Sequence, residues 1–240
     1  RILGMASHGD VQALDGHLEN WPAALRQASE HPRVLGAAPY IEAQAMLSER
    51  RQVSGAIVRG IQPEREPDVV DVDQHMLAGT LNDLQPGKYK IILGNELALT
   101  LGVSIGDKVT MVVPQMTATI AGSMPRMKRF TVSGLFEVGM GEYDSSVAMI
   151  HMVDAAKLLR MGESVTGVRI RIDDVWDARQ VALQLANTLE GRYRVLNWTD
   201  YHRNFFAALK MEKRMMGLLL FLIVIIGAFN IISTLVMMVV

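Results

Sequence analysis

The chain contains no cysteine, which excludes a disulfide framework and a cysteine-ligated zinc site. That absence is compatible with an oxidising compartment without requiring one. An excess of one charge is missing as well: 24 Lys and Arg stand against 25 Asp and Glu, for a net charge of −1. A general nucleic-acid binder carries a basic excess, so nucleic acid is not expected as a partner. There is no Gly-x4-Gly-Lys-Ser/Thr loop, so ATP phosphates are not cradled in that way. "GMGEYDSS" at 139–146 is glycine-rich but lacks the lysine and a following helix, and reads as a connection between strands. The 6 histidines are scattered with no His-x3-His pair, which gives no zinc signature. Asp71, Asp73 and His75 lie close together, but a solvated acidic segment accounts for them. Ser145 and Ser146 stand outside any nucleophile-elbow pattern. No catalytic residue, metal or cofactor is expected, and the chain reads as a membrane-tethered binding or mechanical module.

Half of the residues are hydrophobic and 16 are methionine, many of them near the C-terminal end. From Met215 to Val240 the sequence "MMGLLLFLIVIIGAFNIISTLVMMVV" carries no charge. As a helix rising about 1.5 Å per residue it exceeds the ~30 Å hydrocarbon core of a bilayer. A core helix of a soluble protein keeps a polar face and this one has none, so a membrane span at about 215–240 is expected. The residues before it, "TDYHRNFFAALKMEKRMM", favour helix, which predicts one connecting helix and span over 199–240. Lys210, Lys213 and Arg214 precede the span, and taken alone they would place the soluble part in the cytoplasm. That rule weighs both flanks and this sequence holds one, so charge leaves the orientation open. The first residue is Arg1, which reads as a mature product or an excised segment.

In the soluble part, a strand at 8–14 leads to a helix at 20–30 with Asn20 as cap and Pro22 in the first turn. Strands follow at 34–47 and 53–61. Residues 62–75 are acidic and contain proline, which predicts a loop or short helix on the surface. "VTGVRIRID" at 165–173 alternates apolar and basic residues, the pattern of a strand with one wet face. A helix at 177–189 and a strand at 192–198 complete a second strand–helix–strand unit. Two such units at opposite ends suggest one α+β layer with the middle inserted. The middle, 88–153, is mostly strands around a short helix, "NELALTLG", that ends at Gly102. Within it, "PQMTATIAGSMPRMKRFTV" at 114–132 is too long for a tight turn and predicts a loop. From Gln115 to Phe136 there is no acid, while Arg126, Lys128 and Arg129 are basic and methionine occurs at 116, 124 and 127. On its own terms this is a solvated connection kept soluble by its charges.

Several stretches carry a family resemblance: "RILGMASHGDVQA", "GAAPYI", "PGKYKIILGNELALTLGVSIGDKV", "SVAMIHMVDAAKLLRMG" and "MEKRMMGLLLFLIVIIGAFNIISTLVMMV". Over essentially the whole chain these resemble the lipoprotein-releasing ABC transporter permeases of the LolC/LolE family. "PGKYKIILG" and "MEKRMMGLLLFLIV" are LolC-like, while "SVAMIHM" and "ESVTGVRIRIDDVWDA" are LolE-like, a mixture that also fits a merged LolF-type homodimer. The resemblance implies an α+β, MacB-like periplasmic domain of two subdomains followed by an FtsX-like transmembrane helix. Residues 1–87 and 154–198 would form a porter-like subdomain, and 88–153 a β-rich one bearing a hook loop at 114–131. It implies a permease that works with a separate LolD-like ATPase subunit and a second permease copy or paralogue. Such a permease extracts lipoprotein cargo from the bacterial inner membrane and passes it to a periplasmic LolA-like carrier. The soluble domain would then be periplasmic, against the basic flank read alone. Carried onto this sequence, the carrier-binding hook is Pro125, Arg126, Met127, Lys128 and Arg129; adaptable methionine and basic charge suit an apolar groove with an acidic rim. In the span, Met215, Met216, Phe229 and Asn230 are candidates for facing the lipoprotein, with plain helix–helix packing as the other reading. Two other functions remain open from sequence: another FtsX- or MacB-like permease, in efflux or cell-wall regulation, and a membrane-anchored sensor.

Overall fold

Strand β2, Val34–Glu49, serves two sheets in succession. Up to Tyr40 it pairs antiparallel with β9 (Gly167–Ile172), and from Ile41 onward with β3 (Gln52–Ile61). Pro39 sits beside this handover, and a proline, which donates no ladder hydrogen bond, is tolerated where a strand changes partner. The computed structural model describes residues 9–13, 16–119, 122–173, 177, 180–181, 183–185, 193–197 and 203–239. They fall in two compact units, Arg1–Asn197 and Trp198–Val240.

The two ends of the first unit build one layer. With β1 (Gly9–Ala13) and β10 (Tyr193–Asn197), the order is β10-β1-β9-β2, antiparallel throughout. Helix α1 (Trp21–Glu30) links β1 to β2, and helical residues within 180–185 link β9 to β10. This is the split strand–helix–strand arrangement that the sequence predicts, with the rest of the chain inserted between β2 and β9. The remainder of the helix expected at 177–189 lies outside the described residues. Ala24, Leu25 and Ala28 form the buried face of α1. Asn20 occupies the cap position, but its side chain makes no capping bond; its φ of −91° and ψ of 40° depart from the extended geometry that capping uses.

The segment 62–75 takes the short helical form that is one of the two predicted, but it is only partly on the surface. It folds into short 3-10 turns at Glu66–Asp68 and Asp71–His75, and Val69, Val70 and Val72 are buried. A Cβ on Gly36 would come within 2.2 Å of the Asp68 carbonyl oxygen, so only glycine lets this turn press against β2. The same turn covers β9, whose alternating arginines are therefore both paired with acids, Arg169 in the interior and Arg171 partly exposed. Arg169 is 3% exposed, and its Nη2 lies 2.7 Å from both carboxylate oxygens of Glu66. Burial opposes the Arg169 charge, but the Glu66 carboxylate outweighs it and the guanidinium pKa is raised. Arg171 pairs with Asp71 at 2.8 Å.

The inserted part adds β4 (Met76–Ala78), β5 (Lys90–Gly94), β6 (Lys108–Thr119), β7 (Gly122–Phe136) and β8 (Val147–His151). The sheet continues from β3 through β8, β5 and β7 to β4, while β6 bridges β2 and β7. Ile61, Val72, Ile92, Phe136 and Met149 pack in one core, so the 3-10 turns and the inserted strands share it. Helix α2 (Asn95–Leu101) ends on Gly102 at φ 66°, the left-handed stop that the sequence predicts. The connection at 139–146 holds a single helical turn, α3 (Gly141–Asp144), and α4 (Met152–Leu159) follows β8.

The second unit is α5 (Arg203–Val239), 37 residues long. Lys210–Met238 has a mean hydropathy of 2.7 and is long and apolar enough to cross a membrane. Every described side chain in that stretch is exposed. A helix that is apolar on all sides and covered on none has the character of a lipid-facing segment.

Candidate docking site

The 114–131 stretch, read from sequence as a loop, is a correction. Strands β6 and β7 form a continuous antiparallel hairpin from Lys108↔Thr131 to Thr119↔Gly122, with one irregularity between Val113 and Met116. Only 120–121 fall between the strands, and they lie outside the described residues. The loop reading takes the whole stretch as the connection and finds it too long for a tight turn, whereas the strands themselves run on to Thr119 and Gly122. A two-stranded ladder needs no buried face to pair its backbone.

The pleat sorts the hook candidates into two rows. Arg126 and Lys128 share a face with Phe130, and their partners across the hairpin are Val113, Met111 and Val109. All four of those apolar residues are buried. The opposite face carries Pro125, Met127 and Arg129, each exposed; on the first face Lys128 is exposed as well, and Arg126 is half-buried. Met127, 58% exposed, pairs with Val112, which pairs in turn with Met46 of β2, 52% exposed. Beyond that row β2 pairs with β6 no further.

The inner row is held by α4. The Arg126 guanidinium donates to the carbonyl of Leu159 at the last residue of that helix. Asp154, fully buried in α4, accepts the backbone N–H groups of Gly87 at 2.8 Å and Tyr89 at 3.0 Å. The Tyr89 ring meets Phe130 edge-on at 5.7 Å, and the Lys128 ammonium lies 3.9 Å from its centroid. At the other end of α4, His151 Nδ1 accepts the Val153 N–H at 3.2 Å and caps the helix. Burial holds the His151 imidazole below its ordinary pKa, although the Asp154 and Glu64 carboxylates pull the other way. Sequence reasoning missed Asp154, Tyr89 and Leu159, since nothing local marks a residue whose partner is a distant backbone group.

The four membrane candidates all lie on α5. Met215 and Phe229, like Met216 and Asn230, are separated by close to four turns at ~3.6 residues per turn, so the four share one side of the helix. Met215, Met216 and Phe229 are exposed, and the Asn230 carbonyl accepts the Thr234 hydroxyl at 2.8 Å. Asp71 and His75 are engaged locally, His75 Nδ1 lying 3.0 Å from the Asp71 carbonyl. No group of metal-ligating side chains occurs among the described residues. The hydroxyls of Ser145 and Ser146 both donate to the Glu142 carbonyl.

A split antiparallel layer with a strand-rich insertion, followed by one membrane-length helix, defines the class. The chain belongs to the MacB-like periplasmic core domain family, whose model matches residues 5–188. The periplasmic region of MacB from Actinobacillus actinomycetemcomitans shares the fold, with a TM-score of 0.54 at 13% identity over 86% of this chain and 96% of that one. In sequence the chain is similar to the lipoprotein-releasing system transmembrane protein LolC of Xylella fastidiosa (strain 9a5c), 47% identical over 100% of this chain and 57% of that protein. The corresponding LolE of Haemophilus influenzae is 22% identical over 99% of this chain and 58% of that protein. The chain thus spans less than two thirds of the length of these relatives.

Proposed function

We propose that this chain is the periplasmic domain and adjoining membrane helix of a permease subunit in a lipoprotein-releasing ABC transporter. The observation that carries the reading is the likeness to the LolC of Xylella fastidiosa along the entire chain, at 47% identity. On this reading the subunit is non-catalytic, and a LolD-like partner hydrolyses ATP. It sits in the inner membrane beside a second permease copy or paralogue, with Arg1–Asn197 in the periplasm. The β6–β7 hairpin is the element that meets a LolA-like carrier. Its long ladder projects an acid-free surface of methionine and basic side chains, which suits a carrier with an acidic rim around an apolar groove. Met215, Met216, Phe229 and Asn230 form the side of α5 offered to the lipoprotein.

The test is a titration of the purified chain in detergent with the periplasmic carrier, at low and high salt. Wild type is expected to bind in a salt-sensitive manner. Changing Pro125, Met127, Lys128 and Arg129 together to alanine is expected to abolish binding. A wild-type chain that fails to bind the carrier would remove the docking role and favour a different MacB-like permease.

A further inference from the structure

We infer that Arg126 is a positioning residue: it fastens the β6–β7 hairpin to the end of α4, so that the opposite row, Pro125, Met127 and Arg129, is what the carrier meets. This rests on reading the hairpin as a carrier-docking element, and it divides the hook candidates by task.

The hairpin leaves the body of the sheet at one definite place. β6 is flanked by β2 only at Thr110, Met111 and Val112. Past Val112 the hairpin is a two-stranded ribbon, and such a ribbon is at best marginally stable by itself. Arg126 lies opposite Val113, the first pair beyond that support. Its side chain is on the inward face, half-buried, and reaches the Leu159 carbonyl. The last carbonyls of a helix have no partner within it, and the negative end of the helix dipole favours a cation there. A guanidinium is therefore well matched to this task, and its Nη1 donates on the face opposite the row of Met127 and Arg129. A second attachment from the same helix stands behind the ribbon: Asp154 grips the backbone of Tyr89, and the Tyr89 ring backs Phe130 and Lys128. With both in place, α4 sets the direction in which the outer row points.

The experiment combines backbone hydrogen exchange over 109–113 and 126–130 with carrier titration at several salt concentrations, on the full chain in detergent. Arg126→Ala is expected to speed exchange in these segments and weaken carrier binding, each by about tenfold, the loss of one charge-assisted hydrogen bond. The dependence of affinity on salt is expected to keep its wild-type slope. Arg126→Lys, which retains a donor and the charge, is expected to restore slow exchange. Arg129→Ala is expected to leave exchange unchanged and flatten the salt slope, and Met127→Ala to weaken binding with both unchanged. Wild-type exchange rates in Arg126→Ala, or a salt slope flattened by that change, would overturn the assignment. Failure of the wild type to bind the carrier would overturn the docking row and the proposed function with it, while the exchange rates still decide whether Arg126 is the brace.

Discussion

β9 and β7 carry related patterns and put them to opposite use. In β9, Arg169 and Arg171 alternate with Val168, Ile170 and Ile172; in β7, Arg126 and Lys128 flank Met127, with Arg129 and Phe130 following. The β9 arginines lie under a turn that supplies Glu66 and Asp71, whereas β6 and β7 hold no acid of their own and leave Met127 and Arg129 exposed. Alternation decides which side chains share a face. What covers that face is decided by another segment, here one that precedes β9 by about a hundred residues.

The largest expected effect breaks the covered side of this comparison. Glu66→Ala removes the two-oxygen partner of buried Arg169 and leaves it the Asp10 carboxylate across the β1–β9 pair, so the cost in chemical unfolding should be about 3 kcal/mol, the lower end for breaking a buried pair. The pair itself is not expected to stabilise the fold by that amount. Arg169 Nε is buried with no hydrogen-bond partner among the described residues. Replacing both residues by apolar ones of similar volume, Glu66→Leu with Arg169→Met, should therefore recover most of that loss, short of wild type because buried Asp10 then loses the cation opposite it. A double variant as unstable as Glu66→Ala would show that the ion pair contributes more than burial alone.

Next in size is the support behind β7. Asp154→Asn keeps the shape of the side chain but removes the charge that accepts two backbone N–H groups. A loss of about 1.5–3 kcal/mol is expected, with faster exchange at Gly87 and Tyr89. If exchange rises there and not in β7, the Tyr89 ring does not transmit the hold of α4 to the hairpin.

The elements were legible wherever local chemistry determines them. β1, α1, β2, β3 and the Gly102 stop of α2 all follow from periodicity and turn residues, and the apolar run of α5 from composition. Two features were not legible. The acidity of 62–75 suggested solvent, because Glu66 and Asp71 have partners only once β9 folds beneath them. The hairpin looked like a loop, because its outer ladder is held by backbone bonds and by Arg126 and not by an apolar face. At the candidate site, the basic and methionine residues were visible in sequence, but their division into a braced row and a free row needed the register with β6 and the position of α4.

A smaller effect is expected from pH at the other end of the brace. His151 caps α4 through an unprotonated Nδ1, and burial lowers its pKa from the ordinary 6.5. The folded chain therefore binds this proton more weakly than the unfolded chain. This contribution to stability is complete above about pH 6.5 and falls as pH drops toward the lower folded value. The size of the loss follows how far burial lowers the pKa, and it is expected to be smaller than that of Asp154→Asn. His151→Asn, which caps without titrating, should remove this pH dependence; an unchanged profile would assign it to other groups.

The smallest expected effect on stability, and the one that most sharpens the comparison, concerns the free row. Met127→Ala and Arg129→Ala alter exposed side chains with no partner in the buried core, so unfolding should shift by no more than about 0.5 kcal/mol. Arg169, also basic and on an alternating strand, should respond several times more strongly to the same truncation, because alanine there strands the Glu66 carboxylate. Equal losses at Arg129 and Arg169 would mean that the outer row of β7 is covered by something in the folded chain. A near-zero loss at Arg129, together with weaker carrier binding, would mark a surface kept for a partner at little cost to the fold.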